Sequence, residues 1–405
     1  MNFLFHTLSL TSSGGSRVLC NLATYLSERG HNVTIILERN RIAFPIHKNV
    51  KVLLLNEFGI KNITPKVQGD TEAFQNHIAK KKEKNKERKR EKLRHKYKTI
   101  ESINEWKKYI LKLATYPVKR IYISKLIKKI APDVIASHNM YYFLEHYKFY
   151  KNNNFYVVLH NSPKQVFQER TVKSIFPLST FYNNTPCLGV SQGVSHEMKE
   201  IFPFISDKSK TIYNPVDIKY IKKMADEAID VFFHKNRYIV TVSSLAPGKK
   251  IDRTIKSFAS LNDKDVYLVI LGDGEEKANL EKLALTLGVS ERVLFTGFIE
   301  NPWPYMKHAE FMSFTSNYEG FGQVLVECLA TGTPVVSTNC QSGPSEILVG
   351  ELSQYLVDIK DRDECAIVND LSNMFNEILN NPPTITNDAI KRFSKEHTVR
   401  QWESL

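Results

Sequence analysis

The stretch from residue 311 to residue 338 constrains the fold more than any other part of the chain. It reads FMSFTSNYEGFGQVLVECLATGTPVVST. Residues 311–314 are an apolar run typical of a buried strand, and residues 323–331 carry apolar side chains at helical spacing. Gly332 is placed to end that helix, and a second apolar run starts at Pro334. The stretch therefore predicts a strand, a loop, a helix and a second strand, which is the repeating unit of a parallel sheet.

Two glycines and two glutamates give this stretch a chemical character. Gly320 and Gly322 lie beside the predicted helix N-terminus, where glycine lets backbone N–H groups approach an anion and the helix dipole favours a phosphate. Glu319 and Glu327 are eight positions apart, and carboxylates in such a place are suited to bind the hydroxyl groups of a sugar or a ribose. The two glutamates alone would mean little, because exposed helices often carry such pairs.

In its EGFG…E…GTPVV frame, the stretch resembles the signature of the retaining glycosyltransferases of family 4, in which seven residues separate two glutamates. Gly343-Pro344-Ser345-Glu346 also fits that family. The resemblance implies the GT-B fold, an α/β fold of two doubly wound Rossmann-like domains that face a cleft. It implies a nucleotide-diphosphate sugar as donor, with Glu319 acting in catalysis on a sugar hydroxyl and Glu327 binding the ribose. The donor contacts that it implies in this stretch are Glu319, Gly320, Phe321, Gly322, Gln323, Val324 and Glu327.

The length of 405 residues and the alternation of apolar strands with amphipathic helices predict two domains. The Tyr-Asn-Pro-Val-Asp motif at residues 213–217 resembles the junction between the domains of that family. We therefore predict an N-terminal, acceptor-side domain over residues 1–210 and a nucleotide-sugar-binding domain over residues 211–385. Residues 386–405 are predicted to form a helix that crosses back to the first domain.

Glycines and histidines of the first half are candidates for the opposite wall of the cleft. Gly14 and Gly15 lie in a turn between a predicted strand and helix, which favours phosphate but lacks the GxGxxG dinucleotide fingerprint. His138 and His160 each follow a predicted strand, at the edge where open α/β sheets bind ligands. The resemblance implies catalysis by His160, a donor contact at Gly15, and acceptor-side places for Gly14 and His138. A plain tight turn and structural histidines are the alternatives.

Three positions of the second half complete the implied donor site. Lys249 matches a family lysine that neutralises the departing diphosphate, so we expect it to act in catalysis. Ser244 stands where the family usually has an arginine, and one neutral hydroxyl replaces a fork that can hold two phosphate oxygens. Either Lys250 or another basic residue substitutes, or donor binding is weaker than usual. Phe298 is either a contact to the nucleotide base or a core residue.

Much of the net charge of +13 lies in one segment. Residues 80–98 hold 12 Lys or Arg and three Glu, inside a polar helical insertion predicted over about residues 69–110. Two interpretations stay open: a solvated face, or a contact with an anionic membrane or acidic lipid-linked acceptor. Nucleic acid is a poorer candidate partner, because aromatic residues are sparse in the segment and no recognition fold accompanies it.

The composition also bears on location and metals. The five cysteines are scattered without metal-like spacing, the first ten residues lack the basic leader of a signal peptide, and no apolar run could cross a bilayer. We therefore expect a cytoplasmic protein, peripheral at the inner face of the cell membrane. Asp263-Lys264-Asp265 and Asp361-Arg362-Asp363 resemble the DxD metal motif of other glycosyltransferases, but they occur in polar segments beside helices. We expect no metal and no cofactor other than the donor substrate.

The predicted function is a retaining, metal-independent transfer of a hexose or N-acetylhexosamine from a UDP donor to a glycan acceptor. The acceptor is expected in lipopolysaccharide, capsule or lipid-linked oligosaccharide synthesis. Two alternatives remain. One is an enzyme that elongates a soluble polysaccharide, as the glycogen synthase relatives do. The other is a catalytically silent scaffold that binds a membrane or a partner, which the serine at position 244 keeps open.

Overall fold

A computed structural model describes most of the chain. The described residues are 1–11, 13–64, 115–138, 143–150, 153–169, 185–203, 205, 207 and 209–405. The predicted insertion at about residues 69–110, with its basic segment at 80–98, lies outside the described residues.

The first domain is built on an eight-stranded sheet. Its strands are β1 (Asn2–Thr7), β2 (Asn32–Leu37), β3 (Lys51–Asn56), β4 (Gly59–Asn62), β5 (Val134–Ser137), β6 (Phe155–Leu159), β7 (Cys187–Gly189) and β8 (Lys210–Thr211). They lie in the order β4-β3-β2-β1-β5-β6-β7-β8, and every neighbouring pair is parallel except β3 with β4. The described helices of this half are α1 (Gly14–Glu28), α2 (115–130), α3 (Phe143–Tyr150), α4 (Pro163–Glu169) and α5 (Gln192–Ile201).

The second domain has a six-stranded sheet in which every neighbouring pair is parallel. Its strands are β9 (Tyr238–Val242), β10 (Tyr267–Leu271), β11 (Val293–Gly297), β12 (Phe311–Phe314), β13 (Val335–Asn339) and β14 (Leu356–Asp358). Their order is β11-β10-β9-β12-β13-β14. The remaining helices are α6 (Ile218–Met224), α7 (Phe232–Lys235), α8 (Ile251–Ala259), α9 (Lys277–Thr286), α10 (Trp303–Lys307), α11 (Gln323–Ala330), α12 (Pro344–Ile347), α13 (Glu364–Asn380) and α14 (Lys395–Glu403).

The sequence explains why both sheets are parallel and buried. Strands such as β10, which reads YLVIL, are runs of large apolar side chains rather than alternating patterns, because helices cover both faces of the sheet. In each sheet the strand order reverses next to the first strand, at β1 and at β9, which leaves a crevice beyond the carboxyl ends of the central strands. The predicted fold class of two doubly wound α/β domains is confirmed.

The strand–loop–helix–strand unit predicted from residues 311–338 is also confirmed, as β12, α11 and β13. Helix α11 begins after Gly322, whose backbone lies in the left-handed region at φ 80°, and it ends before Gly332 at φ 89°. Glycine adopts such angles without the steric cost that a Cβ imposes, so these two residues set the length of the helix.

The last helix of the chain packs on the first domain. Glu403 of α14 accepts from Arg29 Nε at 2.7 Å and lies 2.6 Å from His31 Nε2. The Trp402 ring lies edge-on to Phe5, 5.6 Å between centroids. The first sheet ends at Thr211 and the second begins at Tyr238, so the change of sheet falls just after the boundary that we placed at residue 210.

None of the described helices combines the length and the apolar character that crossing a membrane requires.

Candidate active site

One element from each domain meets His160, which directly follows β6. A Cβ at Gly15, in the first turn of α1, would lie 3.2 Å from the His160 ring carbon Cγ. A Cβ at Gly320, in the loop before α11, would lie 2.0 Å from the His160 backbone oxygen. No side chain fits at that distance, so position 320 must be glycine for the loop of the second domain to reach the first domain. The structure thus brings Gly15, His160 and Gly320 together.

Lys249 and Glu319 form an ion pair at this convergence. Lys249 Nζ lies 2.5 Å from Glu319 Oε1, and the two side chains are 28% and 14% exposed. The Asn317 amide donates to the Gly248 carbonyl at 2.9 Å, which ties the loop that carries the lysine to the loop that carries the glutamate. Both groups therefore keep contact with solvent in the cleft, and an entering anion or hydroxyl can compete with each for its partner.

Glu327 lies deeper, on the second turn of α11. Its side chain accepts hydrogen bonds from Trp303 Nε1 at 3.2 Å and from Gln323 Nε2 at 3.1 Å, and only 7% of the residue is exposed. These two donors fix the carboxylate and satisfy one lone pair on each oxygen, which leaves further acceptor capacity. Trp303 is a site residue that sequence reasoning missed. It was visible only as part of a Pro-flanked segment far from Glu327 in sequence.

The start of α11 offers backbone donors to the same cleft. Its N-cap is Gly322, which has no side chain to cap the first amides. Gln323 and Val324 are the first two residues of the helix, and both are half-buried. Uncapped amides at a helix N-terminus are suited to bind an anion.

The two histidines are stacked one behind the other. His138 Nδ1 lies 3.0 Å from His160 Nε2, and the His138 ring is stacked on Trp402 of α14. His138 is only 8% exposed and lies behind His160, and its acceptor-side role stays a prediction. Helix α14 covers the carboxyl end of β5, which sequence position could not reveal. His160 is the histidine of the pair that contacts Gly15 and Gly320. Its buried Nδ1 has no hydrogen-bond partner within the part of the chain that the structure describes.

Burial keeps both imidazoles neutral. It lowers the pKa of His160 to about 4. Burial, and then the neighbouring His160, lower the pKa of His138 well below its usual value. A low dielectric disfavours the charged imidazolium, and a second cation beside the first would be repelled. His160 can therefore donate or accept a hydrogen bond at neutral pH without adding charge to the cleft.

Of the two phenylalanines predicted to contact the donor, Phe321 is buried and Phe298 is exposed. Phe321 is 2% exposed and packs against Tyr213 and Phe393, with ring centroids 5.5 and 5.3 Å away. Its side chain therefore belongs to the packing between the domains. The predicted donor contact at Phe321 stays a prediction, and it would fall to the backbone of this loop residue. Phe298 directly follows β11 and is 68% exposed, so the alternative of a core residue is wrong.

The remaining predicted residues are Ser244, Gly14 and Lys250, which differ in their exposure and in their partners. Ser244 is exposed, and Gly14 is exposed with open space around a hypothetical Cβ. Lys250 Nζ lies 3.4 Å from Glu364 and 3.5 Å from Asp252. These two carboxylates would compete with a phosphate for Lys250, and its substitution for the missing arginine stays a prediction.

Sequence reasoning also missed how the domains are joined. Glu346, in the Gly-Pro-Ser-Glu motif of the second domain, accepts from the first two amides of α5, those of Gln192 at 2.7 Å and Gly193 at 2.8 Å. Ser191, the N-cap of α5, donates its hydroxyl to the Gly320 carbonyl at 2.7 Å. A helix N-terminus of the first domain is therefore capped by the second domain. The motif was visible in the sequence, but its partner was not.

A buried carboxylate forms a second joint. Glu197 of α5 is 1% exposed and accepts from Ser162 Oγ at 2.5 Å and from the Lys164 amide at 3.2 Å. Ser342 Oγ of the second domain donates to its other oxygen at 3.1 Å. Since Ser162 lies two residues after His160, the position of His160 depends on the contact between the domains.

Comparison with known proteins bears on what this cleft is. Residues 223–395 match the family model for glycosyl transferases group 1. An uncharacterised glycosyltransferase of Methanocaldococcus jannaschii is 27% identical over 255 residues, 58% of this chain and 63% of that protein. The N-acetylgalactosamine-N,N'-diacetylbacillosaminyl-diphospho-undecaprenol 4-alpha-N-acetylgalactosaminyltransferase of Campylobacter jejuni is 36% identical over 169 residues, 42% of this chain and 45% of that protein. The chain thus spans less than two thirds of the curated relatives that it matches.

Solved structures match over the whole chain. Anabaena HepE in complex with UDP and glucose has a TM-score of 0.67 at 17% identity and covers 100% of this chain and 98% of its own. The lipopolysaccharide outer core galactosyltransferase WaaB, in its apo form, has a TM-score of 0.66 at 17% identity, with 100% and 98% coverage. These likenesses show the fold. Residues 223–395 of the second domain are therefore similar to the glycosyl transferases group 1, in a chain that has the GT-B fold.

Proposed function

We propose that the chain is a retaining glycosyltransferase, which moves a sugar from a nucleotide-diphosphate donor to a hydroxyl group of a glycan acceptor. The observation that carries the proposal is the Lys249–Glu319 ion pair in the cleft between the domains, with Glu327 buried on α11, the helix that follows the Glu319 loop. A cation, uncapped amides and two separated carboxylates are the groups that a diphosphate linked to two sugars requires.

The ribose and the diphosphate bind to the second domain in this proposal. Glu327 accepts hydrogen bonds from the ribose hydroxyls, because Trp303 and Gln323 hold its carboxylate in place and leave acceptor capacity on both oxygens. The diphosphate lies at the N-terminus of α11, where the amides of Gln323 and Val324 point outward and Lys249 is near. Phe298 stacks on the base, as its exposure beside β11 permits.

Donor entry divides the Lys249–Glu319 pair between two ligands. Lys249 turns to the diphosphate, and Glu319 accepts from a hydroxyl of the transferred sugar. The bond between the anomeric carbon and the diphosphate oxygen breaks, and the amides and Lys249 stabilise the negative charge that forms on the phosphate. The acceptor oxygen attacks from the face that the phosphate leaves, and its proton passes to the departing phosphate oxygen. Attack on that face retains the configuration and needs no covalent protein intermediate.

His160 lies at the reacting carbon in this arrangement. Its neutral ring packs against Gly15, and its buried Nδ1 has no hydrogen-bond partner among the described residues. A neutral group in this place suits a transition state in which positive charge develops on the sugar, since an imidazolium would repel that charge.

We also propose a UDP-hexose or UDP-N-acetylhexosamine donor, and an acceptor of lipopolysaccharide, capsule or lipid-linked oligosaccharide synthesis. Support comes from HepE, whose structure holds UDP and glucose, and from the Campylobacter jejuni relative, whose name specifies a diphospho-undecaprenol acceptor. We also propose that the enzyme acts at the inner face of the cell membrane and contacts the membrane through residues 80–98. Independence from metal ions is part of the same proposal, since Lys249 and the helix amides offset part of the negative charge on the leaving group.

The test is donor turnover with UDP-, GDP- and ADP-sugars, using the wild type, Glu319→Ala and the control Glu281→Ala. Glu281 is a surface glutamate of α9, 50% exposed and ion-paired to Lys277. We expect Glu319→Ala to lower kcat by about 100-fold or more, as losing an electrostatic transition-state contact does, and Glu281→Ala to have no effect. Absence of turnover with every nucleotide sugar, or full activity of Glu319→Ala, would overturn the proposal. Activity that EDTA abolishes and Mg²⁺ restores would overturn the metal-independent part alone.

A further inference from the structure

One arginine of the first domain faces the second-domain wall of the cleft. Arg17 lies in the first turn of α1, two residues after the glycine that packs on His160. Its guanidinium carbon is 5.8 Å from the centroid of the Trp303 ring. Trp303 in turn donates to Glu327. Through Gly15 and Arg17, the start of α1 therefore runs alongside both ends of the proposed donor site, from His160 to Glu327.

The charge of Arg17 is not neutralised in the described part of the chain, where its guanidinium takes part in no salt bridge or hydrogen bond. Two other arginines differ in this respect, one on the same helix and one buried. Arg29, at the far end of the same helix, is bonded to Glu403, and the buried Arg253 is bonded to Glu364 at 2.8 Å. A half-buried guanidinium with five unused donors is ready to bind an anion.

The donor site of the second domain is short of one such cation. Position 244 is a serine, Lys250 is held by Asp252 and Glu364, and Lys249 is shared with Glu319. The leaving group of the proposed reaction is a nucleoside diphosphate. Its negative charge is greater than one lysine and a few amides can balance. Arg17 faces this deficit from the opposite wall.

We propose that Arg17 binds the diphosphate of the nucleotide donor, and that it supplies from the first domain the guanidinium that position 244 of the second domain lacks. This inference rests on the proposed function and adds to it a specific residue and a consequence. Since Glu327 and Lys249 belong to the second domain, a diphosphate held also by Arg17 links both walls. Donor binding then favours the closed arrangement of the two domains.

The test compares ligands with and without phosphates. The affinities of UDP and uridine are measured by calorimetry and by ligand-observed NMR, with GDP and guanosine and with ADP and adenosine as parallel pairs. The proteins are the wild type, Arg17→Ala, Arg17→Lys and the control Arg29→Ala, which removes the same charge from the other end of α1. Thermal unfolding checks that each variant is folded.

We expect Arg17→Ala to lower the affinity for the preferred nucleoside diphosphate at least tenfold. Its affinity for the matching nucleoside should stay within about twofold of the wild type. Arg17→Lys should fall between, because lysine keeps the charge but loses the fork. Adding Ser244→Arg to Arg17→Ala should restore most of the loss, since it returns the cation from the other wall. Arg29→Ala should change neither affinity.

The outcomes separate this inference from the function on which it rests. If the wild type binds no nucleoside diphosphate, the proposed function fails and this inference fails with it. If the wild type binds one and Arg17→Ala binds it equally well, the inference alone is overturned. If Arg17→Ala lowers the affinities for the nucleoside and for the nucleoside diphosphate equally, Arg17 acts by packing on Trp303. The inference is then also overturned.

Discussion

The two walls of the cleft differ in how their residues are arranged along the chain. In the second domain, Glu319, the glycines at the helix start and Glu327 all lie within nine residues of one strand–loop–helix unit. In the first domain, Gly15, His138 and His160 come from separate elements, and α14 covers one of them. Local geometry fixes the second wall, whereas the first wall depends on contacts between distant segments. Substitutions in the second-domain wall are therefore expected to affect catalysis most. Substitutions in the first-domain wall are expected to affect the assembly of the cleft most.

The largest effect is expected on the second wall. Lys249→Ala should lower kcat by about 100- to 1,000-fold, because the leaving diphosphate loses its nearby cation. The measurement is steady-state turnover of the nucleotide sugar, with Lys277→Ala, an exposed lysine of α9, as control. Since Lys249 and Glu319 are bonded to each other, the double variant should lose much less than the product of the two single losses. Multiplicative losses would contradict a shared role of the pair.

The stacked histidines of the first wall should make stability depend on pH. The folded-state pKa of His160 is lowered to about 4, below the unfolded value near 6.5, so the folded protein binds fewer protons between these pH values. The free energy of unfolding is then fully present above about pH 6.5 and decreases as the pH falls toward 4, by roughly 2 to 3 kcal/mol.

Urea unfolding at several pH values measures this slope. The double variant His138→Asn/His160→Asn should lose most of it. His196→Asn, which changes a histidine side chain that is 82% exposed, should keep it. An unchanged slope in the double variant would show that other groups cause the pH dependence.

The joint between the walls should have an intermediate effect. Glu346→Gln removes the negative charge at the first amides of α5 but keeps an acceptor oxygen, so folding should persist while closure weakens. We expect kcat/KM to fall by about tenfold, a cost near 1.4 kcal/mol. Glu351→Gln, an exposed position five residues later, serves as the control. Equal kinetics for both variants would rule out a role of this joint in closure.

The smallest effect is expected at Phe298. Phe298→Ala should weaken nucleotide affinity by only a few fold, because the ring is 68% exposed and a stacking contact there contributes about 1 kcal/mol. Titration with UDP measures the change, and Phe58→Ala, at an exposed phenylalanine of the first domain, controls for the loss of a surface ring. An unchanged affinity would place the base elsewhere.

Sequence reasoning succeeded where the local structure depends on neighbours in sequence. The strand, the helix and the glycine-limited loop around Glu319 follow from apolar spacing and from the φ angles that glycine permits. The histidines at the ends of β5 and β6 were found by the same kind of reasoning, because parallel strands end at one edge of a sheet.

The arrangements that sequence reasoning could not predict arise from contacts that no local pattern records. His138 is covered by a helix about 260 residues later in sequence, Phe321 packs with residues of the junction and the C-terminal segment, and Trp303 meets Glu327 through tertiary packing. Ser244 is the instructive exception. Its departure from the family pattern was visible in the sequence, but only the structure indicated from which side of the cleft a replacement cation could come.

The most direct test is whether the cleft binds a nucleotide sugar through Glu327. Thermal unfolding of the wild type and of Glu327→Ala is measured with UDP-glucose, UDP-N-acetylglucosamine, GDP-mannose and ADP-glucose. At least one donor should stabilise the wild type, by about 2.7 kcal/mol at a hundred times its dissociation constant, and should stabilise Glu327→Ala far less. If no donor shifts the wild-type transition, or if the variant responds as strongly as the wild type, the cleft is not the nucleotide-sugar site proposed here.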